Sequence, residues 1–349
     1  MIRHRLILLL LIPLVAPLQA QTLPPPPAAP APASTGVTEL AAVTVSGVQP
    51  GPGLWKVSKG DHVLWILGTL SPLPQRMQWQ SRDLEQVISQ SQQVLLPPTI
   101  KPKIDTGFFG KLFLLPSAYS ARKNDDGKTL QQVLPSPLYA RWQVLKQKYI
   151  GNDSGIERWR PIFAAQQLYK KAIKANDLSS SSGGVQANVD ALAKKYNVPE
   201  TSTDYQVEIE HPHDAIKTFK SSGLDDVGCF GSTLDSIEHD MPAMTARANA
   251  WATGDLEALR KLPDSNRHGA CVTAIAGADF ARKLGFADAP AQLEATWLAA
   301  ARAALGSHAQ SFAMLPMQEL ISPNGYVSKL KAAGYQVEAP DADEDASTP

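Results

Sequence analysis

Cysteine, net charge and long apolar runs are all scarce in this 349-residue chain. Two cysteines are too few for a scaffold built on disulfides. Lysine plus arginine and aspartate plus glutamate each total 33, and this balance excludes a strongly basic surface for nucleic acid. Beyond residue 20 no apolar run is long enough to cross a bilayer. What is present, 44% hydrophobic and 19% charged residues, is typical of a globular protein with a sizeable core.

The first twenty residues have the pattern of a secretory signal peptide. Arg3 and Arg5 precede a charge-free apolar run from Leu6 to Leu18, and Ala20 is a small residue suited to cleavage. A membrane anchor is the alternative, but the run is shorter than the roughly 20 residues that spanning needs, and two prolines interrupt it. We therefore predict cleavage near Ala20 and a periplasmic or secreted mature chain with no membrane span.

Composition divides the remainder of the chain into three parts. Residues 21–53 are rich in proline and alanine, which favours an extended linker with little to bury. Residues 54–338 are predicted to form one domain, and residues 339–349 an acidic, disordered tail.

Export affects the interpretation of the two cysteines. In an oxidising compartment, Cys229 and Cys271 most simply form a disulfide with each other. Closing a loop of about 43 residues would stabilise the fold by roughly 4 kcal/mol in the chain-entropy model. Two buried thiols are the alternative.

Both ends of the domain read as a buried strand, a sharp turn and a helix. Residues 54–58 and 62–67 are predicted to form a hairpin, and residues 93–96 a second buried strand. At the other end, strands 311–315 and 335–338 enclose a helix near 324–333, for which Gly334 is a suitable stop. Helices are predicted between the two ends at residues 137–149, 161–174, 187–196, 214–220, 234–252, 270–284 and 290–305, while residues 108–121 stay unassigned.

These patterns predict an α/β fold. Its mixed central β-sheet is built from two strand-turn-helix halves, which a mostly helical middle region flanks and bridges. The turns Gly68–Ser71 and Pro316–Glu319 correspond to each other in the two halves. Because α/β proteins usually build their sites at turns beyond the carboxyl ends of strands, we expect a site here.

Three blocks, in this order, resemble the TraB/GumN family. The first comprises Leu54–Val57 and Trp65–Thr69 with Pro72 and Pro74, the second Ala250–Asp255, and the third Asn324–Val337. Together they span nearly the whole domain. The resemblance implies an α/β domain whose site uses two Gly-x-x-His turns and an intervening glutamate. In the related Tiki proteins these features belong to a metal-dependent peptidase.

Carried over residue by residue, the site that the resemblance implies is incomplete. The first turn, from Gly68 through Thr69, ends in Ser71 where the family has histidine. Pro97 stands at the family's glutamate and Glu319 at its second histidine. A catalytic cation that acidifies a bound water usually needs three protein ligands, and only Glu319 is a credible one. The sequence therefore predicts vestigial site positions and no resident metal or other cofactor, with a divalent metal as the alternative.

Other clusters favour ordinary structural roles. His211 and His213 flank a proline at a predicted helix start, which favours a solvated capping region over a metal site. Residues 238–240 are interpreted as the wet face of a helix. A solvated face is also predicted for the lysines of two helices, with weak anion binding as the alternative; they are Lys146, Lys148, Lys170, Lys171 and Lys174.

The preferred hypothesis is a binding or accessory protein of the cell envelope that has lost hydrolase activity. A cleft between the two turns would bind a peptide, a glycan or an envelope protein. Its predicted lining is Thr69, Ser71, Leu96, Gln318 and Glu319. The alternatives are a metal-dependent peptidase or other hydrolase with a site remodelled around Glu319, Ser71 or the His211 cluster, and an envelope structural protein with no small ligand.

Overall fold

A computed structural model describes residues 43–79, 82–104, 107–180, 184–222, 225–262 and 279–340. The predicted signal peptide, most of the predicted linker, Cys271 and the predicted tail lie outside these residues. Within them, no helix combines the length and the apolar character that crossing a bilayer requires.

The predicted hairpin forms the centre of the sheet. Strand β2 (Trp55–Lys59) pairs antiparallel with β3 (His62–Thr69) around Gly60, whose φ of 59° suits glycine. On its other side β3 pairs in parallel with the whole of β11 (Gln310–Pro316), from Val63 to Thr69. Both strands are continuously apolar because helices cover both of their faces.

Six strands complete this mixed sheet. Their order is β12-β2-β3-β11-β6-β9, in which β6 (Val94–Leu95), β9 (Glu200–Thr201) and β12 (Gln336–Glu338) are short. Strands β3, β11, β6 and β9 run parallel, and β2 runs antiparallel to its neighbours β3 and β12. The predicted α/β class with a mixed central sheet is confirmed.

Three short strand pairs described outside this sheet were not predicted, because two to four residues carry too little periodicity to be recognised. They are β1 (Gly47–Gln49) with β5 (Met77–Trp79), β4 (Leu73–Pro74) with β8 (Leu178–Ser179), and β7 (Ile100–Lys103) with β10 (Tyr205–Glu208).

Helices form most of the middle of the chain, as predicted. Those described are α1 (Arg82–Gln90), α2 (Phe108–Ala121), α3 (Leu130–Val133), α4 (Ser136–Tyr149), α5 (Pro161–Ala175), α6 (Val185–Tyr196), α7 (Pro212–Ser221), α8 (Asp226–Asp235), α9 (Met241–Thr253), α10 (Leu256–Lys261), α11 (Asp279–Lys283), α12 (Ala289–Ser307), α13 (Met317–Ile321) and α14 (Tyr326–Ala332). Trp142 and Phe230, with ring centroids 5.5 Å apart, lie at the centre of a second, helical core.

The helix predicted over residues 234–252 is wrong in its continuity. Helix α8 ends at Asp235, a π-helical turn spans Ser236–Asp240, and α9 starts at Met241 with a proline in its first turn. The wet face predicted for residues 238–240 is also wrong at Asp240, whose side chain the π-turn turns inward, leaving 4% exposed.

The two ends of the domain meet beside β2 and β12. Gly51, before β2, donates its main-chain N–H to the oxygen of Ala252 over 3.0 Å, so residues assigned to the linker already contact the domain. A Cβ placed on Gly53 would lie 2.5 Å from the Cβ of Pro340, which follows β12.

Candidate functional site

The two turns predicted to correspond lie side by side at one edge of the sheet. Thr69, at the end of β3, is paired with Pro316, at the end of β11. Strand β6 pairs with β11 on the other side, so Pro97 follows the third strand in the row. The carboxyl ends of three parallel strands therefore bring the turns after them to the same edge.

Close packing explains the glycine of the first turn. A Cβ on Gly68 would lie 2.4 Å from the Cε atom of Met317 and 2.9 Å from a methyl carbon of Leu320, both on α13. Its main-chain oxygen accepts a hydrogen bond of 2.8 Å from the buried indole Nε1 of Trp251. Gly68, near the end of β3, thus contacts both α13 from the second half of the domain and Trp251 on α9.

The block Ala250–Asp255 has an architectural role in this chain. Gly254 ends α9 with a φ of 78°, and a Cβ there would lie 2.9 Å from the oxygen of Gly51. Asp255 caps α10 by accepting the main-chain N–H of Ala258 over 2.8 Å. The glycine and the aspartate therefore make the sharp turn that holds Trp251 against the first turn of the sheet.

Ser71 lies exposed at the end of the first turn. Its hydroxyl donates a hydrogen bond of 3.0 Å to the main-chain oxygen of Ser180, which precedes α6. Within the described residues, no imidazole or carboxylate accepts a proton from this hydroxyl. The geometry is that of a serine that ties two loops together.

Pro97 follows a main chain that already has its partners. The N–H of Leu96 donates to the oxygen of Thr201 over 2.9 Å, and the hydroxyl of the buried Thr203 donates to the oxygen of Leu96 over 2.7 Å. Proline adds no side-chain donor atom to this edge.

Glu319 is half-buried on α13. Burial raises the pKa of its carboxyl group, and the neighbouring Glu294 raises it further, whereas the main-chain N–H of Tyr326 and the ammonium of Lys329 act in the opposite direction. Lys329 forms an ion pair with Glu294. Burial, with Glu319 and Glu294 nearby, also raises the pKa of the Tyr326 hydroxyl to about 12.

These positions share an edge of the sheet but do not contact each other through polar groups. In the described part of the chain, no hydrogen bond or ion pair joins any two of Thr69, Ser71 and Glu319. The described residues also contain no group of three or more histidine, cysteine, aspartate or glutamate side chains that could hold a metal ion. Two hydroxyls, a proline and one carboxyl group do not supply the three side-chain ligands that a catalytic divalent cation usually needs.

The predicted histidine cluster, which lies within the described residues, does not supply the missing ligands. His211 and His213 are exposed at the start of α7, where the first of them is the residue before the helix. Glu238 forms an ion pair with Arg141 at 2.5 Å. The solvated start predicted for α7 is what the structure shows.

A cleft of about 500 Å³ opens beside the first turn. Ser71 holds one of its sides by bonding to Ser180, and β4 and β8 pair next to it. None of its described lining residues is among the five predicted for a cleft between the turns. The described lining consists of Gln75, Lys170, Ile173, Lys174, Leu178, Ser179, Ser180 and Gly184.

The lysines predicted to form a solvated face divide into two groups. Lys146 forms an ion pair with Glu157 at 3.1 Å, and Lys148 lies over the ring of Tyr149. Lys170 and Lys174, four residues apart on α5, line the cleft. Their spacing of four residues places them on one face of a helix, but the sequence carried no comparable signal for the strands and loops on the other side of the cleft.

Cys229 is 8% exposed on α8. Its predicted partner Cys271 lies outside the described residues. The disulfide between them stays a prediction.

Comparison with known proteins identifies a family. The model of the TraB/PrgY/gumN family matches residues 53–339, from just before β2 to just after β12. No curated protein and no solved structure matches the chain. The match contains all three sequence blocks and both turns, and the chain therefore belongs to the TraB/PrgY/gumN family.

Proposed function

We propose that this protein is an exported binding or accessory protein of the cell envelope, without the metal-dependent hydrolysis that its resemblance to the Tiki proteins would imply. The observation that carries the proposal is the side-chain chemistry where β3, β11 and β6 end. A hydroxyl, a proline and one carboxyl group stand at the three positions where imidazole or carboxylate ligands would be needed.

The surroundings of Glu319 support this proposal. Its carboxyl group accepts a hydrogen bond from the main-chain N–H of Tyr326, while burial and Glu294 raise its pKa. The nearby ammonium of Lys329 is paired with Glu294. Glu319 is thus better explained as a partner of the Tyr326 main chain, at the start of α14, than as a ligand.

The contact that Ser71 makes also supports the proposed loss of the metal site. Its hydroxyl is used in bonding the main chain of Ser180, and this contact shapes the adjoining cleft. The strands and turns of the family's site are present at this edge of the sheet. The cleft beside them is a concave surface suited to binding.

Export is the second part of the proposal and rests on residues 1–20. Arg3 and Arg5, the apolar run after them and Ala20 follow the order of a cleavable signal. Expression of the full chain in a Gram-negative host, followed by mass measurement of the periplasmic protein, tests it. We expect a chain that starts at Gln21.

Metal analysis tests the loss of the metal site. The mature protein is purified without a tag and without chelators, and bound zinc, manganese and cobalt are measured by mass spectrometry. We expect well under one metal ion per chain. One tightly bound ion per chain would overturn the proposal. Capture of a partner from an envelope extract would then separate a binding role from a purely structural one.

A further inference from the structure

The cleft beside the first turn has a lining of one charge sign. Lys170 and Lys174 both line it, and none of its described lining residues is acidic. In the described part of the chain, neither ammonium forms an ion pair with a carboxylate. The polar lining is completed by Gln75 and the two serines Ser179 and Ser180.

This arrangement is unfavourable for the protein alone. Two like charges at positions i and i+4 of a helix lie about 5–6 Å apart at their Cβ atoms and repel each other. The helix dipole favours a lysine in the last turn of α5, which accounts for Lys174 but not for Lys170, one turn earlier. An anion between the two ammonium groups would remove the repulsion.

The nearest acidic residue along the chain does not neutralise the pair. Asp177, three residues after Lys174, forms an ion pair of 2.8 Å with Arg76. Its main-chain oxygen and that of Leu178 are held by Gln75, at 2.8 Å each. These contacts join the segment that contains Gln75 and Arg76 to the end of α5 and the start of β8, and they engage the carboxylate of Asp177 with Arg76.

The base of the cleft is closed by the main hydrophobic core. Ile173 and Leu178 lie there but are only 2% and 0% exposed, so they offer almost no surface to a ligand. The volume of about 500 Å³ lies in the range of small-molecule sites. A ligand that fits this lining has an anionic group for the lysines and polar atoms for Gln75 and the two serines.

We propose that the cleft lined by Lys170, Lys174, Gln75 and Ser179 binds a small anion, a molecule that carries a phosphate or a carboxylate group. This inference rests on the binding role proposed above and names the chemical class of ligand. The lysines supply charge-assisted hydrogen bonds, and the serines and Gln75 supply neutral polar contacts.

Three matched probes test the proposal on the mature full-length protein. Hexyl phosphate and hexanoate carry the two candidate head groups on the same chain, and hexanol carries no charge. Isothermal titration is expected to show saturable one-to-one binding of at least one of the two anions, with hexanol at least tenfold weaker. Which anion binds identifies the head group. Binding of neither anion, or hexanol binding as tightly as the anions, overturns the proposal.

Charge variants locate the binding. The double variant Lys170→Gln, Lys174→Gln is expected to raise the dissociation constant of the anion about tenfold for each lysine that is replaced. Lys171→Gln with Lys194→Gln removes the same charge from exposed positions outside the described lining, and is expected to change the dissociation constant less than twofold. Equal weakening in the two double variants would overturn the assignment to the cleft. Circular dichroism checks that both variants are folded.

The two proposals can fail separately. A stoichiometric metal ion in the purified protein would overturn the proposed loss of the metal site, whatever the cleft binds. Absence of anion binding in a metal-free protein would overturn the ligand class alone.

Discussion

The indole Nε1 of Trp251 donates a hydrogen bond of 2.8 Å to the main-chain oxygen of Gly68, a residue 183 positions earlier in the chain. This bond joins the middle block of the family resemblance to the first turn of the sheet. The tryptophan is fully buried and also lies against Trp79, with ring centroids 6.0 Å apart. The middle block therefore acts on the candidate site through packing and one buried hydrogen bond.

Replacing Trp251 with phenylalanine tests this relationship. Trp251→Phe keeps an aromatic ring but removes the donor to Gly68 from a buried position. We expect the free energy of unfolding to fall by about 1–2 kcal/mol from the lost hydrogen bond, in addition to the loss of ring volume. Urea denaturation followed by circular dichroism measures the change.

Trp297 offers the matched control. It is also fully buried, but its Nε1 has no hydrogen-bond partner in the described part of the chain. Trp297→Phe therefore removes a similar volume without removing a hydrogen bond. Losses of the same size in the two variants would contradict a stabilising role for the bond to Gly68.

The raised pKa of Glu319 predicts a pH dependence of stability. A carboxyl group whose pKa is higher in the folded than in the unfolded protein costs stability as the pH rises above its ordinary value, about 4.3. Glu319→Gln removes this cost, because the amide stays neutral. We expect the variant to gain stability relative to the wild type between pH 4 and pH 7, measured by urea denaturation.

Glu85 gives a control of opposite sign. Hydrogen bonds from Lys195 and Tyr196 lower the pKa of this exposed carboxyl group. Its contribution is therefore present above the ordinary pKa and is lost as the pH falls through the lowered value. Glu85→Gln should lose stability relative to the wild type at neutral pH. The same direction of change in both variants would show that the effects do not arise from these pKa shifts.

Restoring the family's ligands tests the assignment of the three positions. Because β3, β11 and β6 end side by side, Ser71→His, Pro97→Glu and Glu319→His together should place three ligands at one edge of the sheet. We expect the triple variant to gain zinc binding, measured by titration, relative to the wild type. A variant with alanine at the same three positions controls for loosened loops. A folded triple variant without zinc affinity would show that these are not the ligand positions.

The predicted disulfide is tested by counting thiols. If Cys229 and Cys271 are paired, the mature protein denatured without reductant should contain no reactive thiol, and Cys229→Ser should expose one. Replacing both with serine should lower the free energy of unfolding by roughly 4 kcal/mol, less any strain in the bond. Two reactive thiols in the denatured wild type would exclude the pairing.

Local sequence patterns predict much of the fold. The hairpin at residues 54–67 was predictable because a continuous apolar run follows a lysine-glycine-aspartate turn. Gly334, with a φ of 88°, stops α14 where a left-handed residue is needed. In both cases the signal lies within a few residues of the structure that it determines.

Other features depend on partners far along the chain. Helix α2 was not assignable because it is apolar on all sides, and the structure leaves Leu112, Phe113, Leu115 and Tyr119 exposed on it. The π-helical turn at Ser236–Asp240 interrupts a stretch that the local pattern predicted as one continuous helix.

The candidate site also has parts that local sequence predicts and parts that depend on distant residues. The two corresponding turns were predictable from strand-turn-helix order, and the structure places them side by side. The neighbours that shift the pKa of Glu319 come from α12 and α14, and the wall of the cleft depends on Gln75 meeting the end of α5 from 99 residues away. No local pattern contains such contacts.

The contact between Gly53 and Pro340 means that the start of β2 and the end of β12 lie next to each other. A short peptide joining position 340 to position 53 would span that gap without disturbing the pairing of β12 with β2. New ends opened in the exposed turn at residues 152–154 would then give a circular permutant with every strand of the central sheet in place. Because β1 pairs with β5 before the chain reaches Gly53, such a permutant would also separate the contribution of β1 to folding from that of the central sheet.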